Sequence, residues 1–324
     1  MIELSCSLPP GPRIVEYAQI AEELGYRRIW LYDSPLLYPD VWISLARVAA
    51  ATTTLGIGPG VLVPGLRHVA TTAGAIATLE TLAPGRVAVA VGTGFTARRL
   101  LGKPPLAWKH VETFLRELRG LLRGETVEID GQAVRMLHPE GFAPSRPIET
   151  PILVAANGPR GCAVARAVGD GVMAVAEPPA GFEWCAVGRS GTVLEPGESF
   201  ESSRVFQALA PGIALLYHSV YEAGGAAVDQ LPGGRGWREA TEQIPAALRH
   251  LHIHEGHCVA VPDRELPLLD PNVGAMTFSG SEAELREKWS ALESAGASEL
   301  FYSPAGPDIP RELHAMARAI GVTG

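Results

Sequence analysis

The residues of this chain best suited to chemistry fall at a few places, and at each a polar or glycine-bearing group follows a short apolar run. Asp33-Ser34 follows residues 28–32, the stretch from Gly60 to Pro64 ends a glycine-interrupted run, and Gly92-Thr93-Gly94 follows residues 86–91. Ala156-Asn157-Gly158-Pro159-Arg160, Glu177 and Ser303 complete the set. Candidate proton carriers are Asp33, Tyr38, Glu177 and His254. Asp33 also fits as the cap of the turn that follows it. Glu177 stands beside Pro178-Pro179 at the end of an apolar run, where a carboxylate needs a partner or a task. Gly158-Pro159-Arg160 precedes a helical pattern, so its backbone N–H groups would point outward and suit an anionic phosphate. An ordinary Gly-Pro turn is the alternative reading.

A second group invites a metal. His250, His252, His254, Glu255 and His257 lie close together, and alternate positions share one face of a strand, from which three imidazoles could meet zinc. The helical HExxH pattern is missing, and histidines on one strand face splay unless the strand bends. The expectation is therefore no metal site, with His254 lining a substrate pocket near His218, Tyr217 and Tyr221.

These residues must be held by elements, and the pattern of elements is regular. Short β-branched or apolar runs alternate with amphipathic helical stretches, as βα units around a parallel sheet require. Strands are expected at residues 2–6, 28–32, 55–63, 86–91, 152–156 and 171–176. Helices are expected at 13–24, 41–51, 68–82, 107–122 and 160–168, and a hairpin at 126–137 turns on Asp130-Gly131. The alternation breaks between 177 and 274, with helical pieces near 202–223 and 237–248. It returns with a seventh strand at 275–279, a helix opened by the capping box Ser281 to Glu284, an eighth strand at 299–302 and a last helix at 308–320. Eight units predict a single-domain (β/α)8 TIM barrel spanning residues 1–324, with a long insertion before strand 7 and residues 177–274 as insertion or lid. A doubly wound open sheet is the competing fold, but its glycine fingerprint is missing after the first strand. In a closed barrel the interior is packed, so ligands sit on the loops after the strands, where the polar and glycine residues above are concentrated.

Composition narrows the partners. Apolar residues make up 47% and charged residues 19%, enough apolar matter for a large core. The formal charge of -8, without a basic block, argues against nucleic acid or anionic membrane as partner. A small-molecule substrate remains. Residues 2–6 read as a first strand and not a signal peptide, and no apolar run reaches the length of a membrane span. Cys6, Cys162, Cys185 and Cys258 form no CxxC pair. They read as packed thiols in a reducing cytoplasm.

Four segments, in order and spacing, resemble the bacterial luciferase-like monooxygenase superfamily, in particular its branch of F420-dependent and methylenetetrahydromethanopterin reductase-like enzymes. They are Ala21-Glu22-Glu23-Leu24-Gly25-Tyr26 with Trp30-Leu31-Tyr32-Asp33; Leu55-Gly56 through Val63-Pro64 with Arg67-His68; Ala77-Thr78-Leu79-Glu80 through Gly85-Arg86-Val87 to Val91-Gly92-Thr93-Gly94; and Pro151 through Pro159 with Ala167 through Val172. Gly280-Ser281-Glu282-Ala283-Glu284 and Ala295-Gly296-Ala297 also fit. The resemblance covers about two thirds of the chain and leaves the insertion unmatched.

The resemblance implies a flavin or deazaflavin across the top of the barrel, beside a non-prolyl cis peptide that here would be Gly60-Val61. Its ring would face Asp33, Leu62 and Glu177, and its phosphate tail would lie by Gly92, Thr93 and Gly94 and by Ala156, Asn157, Gly158 and Pro159. Gly60 would let the backbone press on a ring face. The sequence departs from relatives in three places. Asp-His after the second strand is Asp33-Ser34, Gly-Thr-Gly-Glu is Gly92-Thr93-Gly94-Phe95, and Arg-His-Pro is Arg67-His68-Val69. Oxidation of glucose 6-phosphate is thereby disfavoured. The expected activity is an F420-dependent oxidoreductase passing a hydride between reduced deazaflavin and a small organic substrate, with Asp33, Glu177 and His254 as catalytic candidates. One alternative is an FMN-dependent two-component monooxygenase with a partner flavin reductase; another is a barrel without catalytic activity. Relatives also imply a homodimer.

Overall fold

The computed structural model describes residues 2–322. Eight of its strands close into one parallel barrel. The first half reads β1 (Glu3–Leu8), α1 (Ile14–Glu23), β2 (Arg28–Leu31), α2 (Val41–Ala51), β3 (Gly56–Leu62), α3 (Val69–Leu82), β4 (Val89–Val91), a short α4 (Phe95–Arg99) and α5 (Trp108–Arg123). The hairpin β5 (Val127–Ile129) and β6 (Gln132–Val134) follows, and Asp130 and Gly131 both take positive φ between its strands. The barrel resumes with β7 (Ile152–Ala155), α6 (Pro159–Val168), β8 (Gly171–Ala174) and β9 (Cys185–Ser190). Helices α7 (Ser203–Gly224), α8 (Gly234–Glu242) and α9 (Ala246–Ile253) form the insertion. Then α10 (Glu282–Ser294), β10 (Glu299–Ser303) and α11 (Ile309–Ile320) finish the chain. The order around the barrel is β1-β10-β9-β8-β7-β4-β3-β2.

The barrel is the one expected, but its seventh strand is not at 275–279. That place belongs to β9, which pairs in register with β8 (Met173 with Ala186) and with β10 (Phe301 with Gly188). Residues 275–279 instead run outside the barrel, where the Phe278 N–H donates to the Ser190 carbonyl at 2.9 Å and Gly280 bridges Val193. The β-rich composition of that run reflects pairing with the outgoing end of β9. β9 itself carries Gly188, a weak strand former, because a Cβ there would lie 2.3 Å from the Phe301 ring. β8 passes to β9 through irregular chain at 175–184, so the sixth unit lacks the helix that would have announced it.

The insertion therefore follows strand 7, between β9 and α10, and does not precede it. A segment entering there is a βα connection and lies over the carboxyl face of the barrel. It carries its own apolar core, in which Val205, Leu209, Ile213 and Tyr217 of α7 pack with Trp237 of α8, Ile253 of α9 and Val273. Full burial of each such side chain contributes roughly 1.5–3 kcal/mol, which is enough to keep this layer ordered on the barrel.

Inside the barrel, Trp30, Ala88, Ala90, Leu153, Met173, Ala186 and Phe301 alternate large with small and fill the channel. At its floor, Glu299 is 1% exposed, and its two oxygens accept the indole N–H groups of Trp30 and Trp184, each at 2.8 Å. The Arg28 guanidinium lies 5.2 Å from both indole rings. Burial lowers the pKa of Arg28, partly countered by Glu299. No helix among the described residues is long and apolar enough to cross a membrane.

Candidate active site

The carboxyl ends of the strands enclose a cleft of about 370 Å³. Ser7 of β1, Tyr32 and Asp33 after β2, and Gly60, Val61 and Val63 form one side; Gly92, Thr93 and Gly94 after β4 with Ala155 and Asn157 after β7 form the other. Phe301 and Ser303 of β10 close the floor. A neighbouring hollow of about 510 Å³ continues beneath α7, between Leu215 and Leu216 above and Arg189 below. It shares Tyr32, Val175, Cys258 and Ser303 with the first. A larger hollow of about 700 Å³, bounded by Arg27, Arg28 and Trp184, opens at the amino-terminal mouth. In this fold that face serves stability, and the chemistry belongs to the other one.

The backbone of the cleft is set by close packing. The Gly60-Val61 peptide is cis, as the resemblance implied. Gly60 is needed for a reason other than the expected ring face: a Cβ would meet the Trp30 Cβ at 3.0 Å, so the crowding comes from the barrel interior. Gly94 caps α4 at φ 78°, a conformation that favours glycine, and a Cβ there would lie 2.3 Å from Val63 Cγ1.

Asp33 holds a buried ion pair in the cleft wall. Its side chain is 2% exposed, and Arg67 Nη1 donates to its two oxygens at 2.6 and 2.5 Å. Arg67 Nη2 reaches Asp40 at 2.7 Å, while the other oxygen of Asp40 caps α2 by accepting the N–H groups of Trp42 and Ile43. Burial raises the pKa of Asp33, and the charge and hydrogen bonds of Arg67 hold back part of that rise. Asp40 is lowered: burial opposes its ionisation, but hydrogen bonds from Arg67, Ile43 and Trp42 outweigh burial. Beside this pair, Ser7 Oγ lies 2.6 Å from Ser303 Oγ and 3.4 Å from the Tyr32 hydroxyl, giving a chain of three hydroxyls at the floor. Burial keeps the Tyr32 phenol protonated far above its ordinary range.

The structure brings only some of the expected residues to this cleft. Asp33, Gly60, Val61, Gly92, Thr93, Gly94 and Asn157 line it. Leu62 does not: it is 3% exposed and packs in the core between sheet and helices, because alternation along β3 directs Val61 and Val63 to the cleft. Ala156 is likewise buried beneath the surface. Gly158 and Pro159 start α6, and the space around the Gly158 Cα is open. The Asn157 carboxamide oxygen accepts the N–H groups of Val175 and Ala176 at 2.9 and 3.1 Å, tying the ends of β7 and β8 together. Glu177 lines the neighbouring hollow with its side chain 89% exposed, 4.0 Å from Arg189. Tyr38 faces the cleft, and its hydroxyl donates to the His257 carbonyl.

His254 is corrected in place. It is fully buried behind the wall, its Nε2 is 3.1 Å from Glu222 Oε1, and the histidine that lines the cleft is His257. His250 and His252 lie on helix α9 and not on a strand, so alternate positions there do not share a face. Burial and the neighbouring rings of His254 and His218 push His257 down to about 3. Cys258 also lines the cleft, while Cys6, Cys162 and Cys185 are buried. Sequence reasoning missed Ser7, Thr96, Cys258 and Phe301. For Ser7 and Phe301 the signal was present, since both sit at or near strand ends already identified.

A family model for luciferase-like monooxygenases matches residues 5–187, more than half of the chain. The chain belongs to that family. It is 31% identical over 180 residues to a 5,10-methylenetetrahydromethanopterin reductase of Methanolobus tindarius, covering 54% of this chain and 53% of that protein. It is 33% identical over 178 residues to an F420-dependent hydroxymycolic acid dehydrogenase of Mycobacterium tuberculosis, covering 51% and 49%. Each of these alignments spans about half the length of the relative. Over the whole chain the fold is similar to that of a coenzyme F420-dependent tetrahydromethanopterin reductase from Methanopyrus kandleri, with a TM-score of 0.71 at 19% identity and 98% of both chains covered.

Proposed function

We propose that the chain is an F420-dependent oxidoreductase that transfers a hydride between the reduced deazaflavin and a small organic substrate. The observation that carries this reading is the bare backbone wall of the cleft. Gly60, Gly92 and Gly94 line the cleft beside Val61, Val63 and Ala155. Such a wall accepts a flat, partly apolar ring, and the curated relative named as F420-dependent gives the ring its identity. The residues present therefore fit the cofactor. F420, when bound, supplies or accepts the hydride.

In this reading the chain has three tasks. Val61, Val63 and Ala155 would hold the cofactor together with Thr93 and Asn157, all of which line the cleft. The hydroxyls of Ser7, Tyr32 and Ser303 orient a substrate oxygen at the floor. Asp33, whose affinity for a proton is raised by burial and restrained by Arg67, holds or releases the proton at its carboxylate. The insertion, lying over the carboxyl face, excludes water and selects the substrate. Glu177 stands at the rim as a further carboxylate.

Equilibrium titration of the purified protein with F420 and with FMN tests the reading. Micromolar or tighter binding of F420 is expected. Micromolar binding of FMN with none of F420 would replace it with the two-component monooxygenase reading, which requires a reductase and dioxygen.

A further inference from the structure

Three histidines of the insertion meet in a place the proposed redox chemistry does not use. His218 projects from α7, while His254 and His257 lie on the turn that follows α9. They are 2%, 0% and 8% exposed. Ring nitrogens of the three lie within 4.8 Å of one another, and the ring centroids are 5.2 to 6.3 Å apart.

The hydrogen bonds around these rings fix where their lone pairs point. His218 Nε2 is 2.6 Å from Glu265 Oε1, which also accepts the Trp237 indole N–H at 2.8 Å. His254 Nε2 is 3.1 Å from Glu222 Oε1. A carboxylate at Nε2 places the proton on that nitrogen and leaves Nδ1 as an acceptor. His257 Nε2 is 3.1 Å from the Thr96 hydroxyl. In all three rings Nδ1 is buried without a hydrogen-bond partner among the described residues, and so is Glu222 Oε2. Three buried imidazoles thus lie together, each with an Nδ1 that no protein group among the described residues meets. Leaving each unmet would cost on the order of 1–3 kcal/mol. A cation satisfies several at once.

We propose that His218, His254 and His257 bind one divalent transition-metal ion of the zinc class through their Nδ1 atoms, with Glu265, Glu222 and Thr96 orienting the rings from behind. Neutral imidazoles select such an ion over calcium or magnesium, which prefer oxygen ligands. A carboxylate on the far ring nitrogen is the usual support of a metal-bound histidine. Zn–N bonds of about 2.0–2.1 Å place ligand nitrogens roughly 3.3 Å apart in a tetrahedron, so the rings would close slightly around the ion. Three ligands leave one position for water. The ion would tie α7 to the turn at 254–258. That turn already touches the cleft wall through Tyr38, whose hydroxyl donates to the His257 carbonyl, and through Thr96. The site would thus fasten the lid over the cleft.

The test is elemental analysis of untagged protein purified without chelator, with a parallel titration of chelator-stripped protein by Zn2+ in competition with a chromophoric chelator. About one ion per chain is expected. His218→Ala and His254→Ala should each lower the bound metal at least tenfold, and the exposed control His138→Ala should leave it unchanged. Glu222→Gln, which keeps all three ligands, should weaken affinity by about 10–100-fold. Should the alanine variants fail to fold, stripped wild-type protein provides the second measurement: Zn2+ should raise its unfolding temperature, and Co2+ should give tetrahedral d–d absorption. Absence of metal from the isolated protein together with no binding of Zn2+ up to about 100 μM would overturn the proposal. So would metal that persists in folded variants lacking His218 and His254. Neither readout depends on F420 or on turnover.

Discussion

Replacing Arg67 with methionine removes the counter-charge of Asp33 while keeping an unbranched side chain of similar length. The magnitude follows from burial and distance. Asp33 is 2% and Arg67 15% exposed, and one guanidinium nitrogen contacts both carboxylate oxygens, so the charge centres are about 4 Å apart. At an effective dielectric constant near 20, such a pair interacts by about 4 kcal/mol. Breaking a buried pair from one side typically costs about 3–5 kcal/mol, because the remaining charge loses its compensation. Asp40 loses a contact too, but it is 38% exposed and keeps its capping bonds, so it adds little. The expected loss at pH 7.5 is therefore about 3–5 kcal/mol, a large share of the stability of an ordinary domain.

The sign of the pH dependence is fixed as well. Asp33 has its pKa raised above the ordinary 3.8, so between that value and its own the native state binds more protons than the unfolded chain, and stability falls as pH rises through that window. Removing Arg67 removes what restrains the rise and extends the window upward. The deficit of Arg67→Met relative to wild type should thus be greatest near neutrality and shrink toward pH 5, as Asp33 takes up a proton. Urea unfolding at the two pH values measures it, and the double variant Asp33→Asn with Arg67→Met should recover most of the loss. A deficit below about 1 kcal/mol, or one equal at both pH values, would refute the claim that Asp33 is a buried charge dependent on Arg67.

Three other substitutions probe the remaining parts. Asp33→Asn should lower turnover at least tenfold with F420 affinity changed less than threefold, measured by steady-state kinetics and cofactor titration; equal loss in both would assign it to binding and not to proton handling. Glu299→Leu leaves the indole N–H groups of Trp30 and Trp184 buried without an acceptor, so a loss of about 2–5 kcal/mol in urea unfolding is expected. Gly58→Ala would set a Cβ 1.8 Å from the Ala88 carbonyl oxygen; a loss of about 3 kcal/mol or more is expected in the same assay, and a neutral result would contradict the tight approach of β3 to its neighbour.

How far the sequence revealed this molecule depended on whether the local signal had one meaning. The start of helix α10 was readable to the residue, because Ser281 and Glu284 satisfy each other's backbone groups in a box that has few other uses. The turn at Asp130-Gly131 was readable for a similar reason, since both residues take positive φ. Strand β9 was not readable: it lacks a preceding helix and contains Gly188 where Phe301 leaves no room for a side chain. Residues 275–279 looked like its replacement because pairing beside a strand and pairing within a barrel select the same residue types. The histidines failed in a different way. Their alternation suggested a strand face, but Pro245 opens helix α9 over 246–253; the expected nearness of His254 to His218 held, with ring centroids 6.3 Å apart.

The displaced strand has a consequence for specificity. An insertion before the seventh strand would have joined helix to strand and emerged at the amino-terminal mouth, away from the glycine wall. Entering after β9, it lies instead on the face where Ser7, Tyr32 and Asp33 open, and it supplies Leu215, Leu216 and Cys258 to the combined cleft. The family match ends at residue 187, within β9 and before the insertion begins. The wall that would hold the cofactor thus comes from the part of the chain most like other members of the family. The roof that would choose the substrate comes from the part the family model does not reach. Conservative change at Leu216, which lines only the neighbouring hollow, should then alter substrate preference while leaving cofactor affinity in place, a division of labour that follows from where one strand sits in the chain.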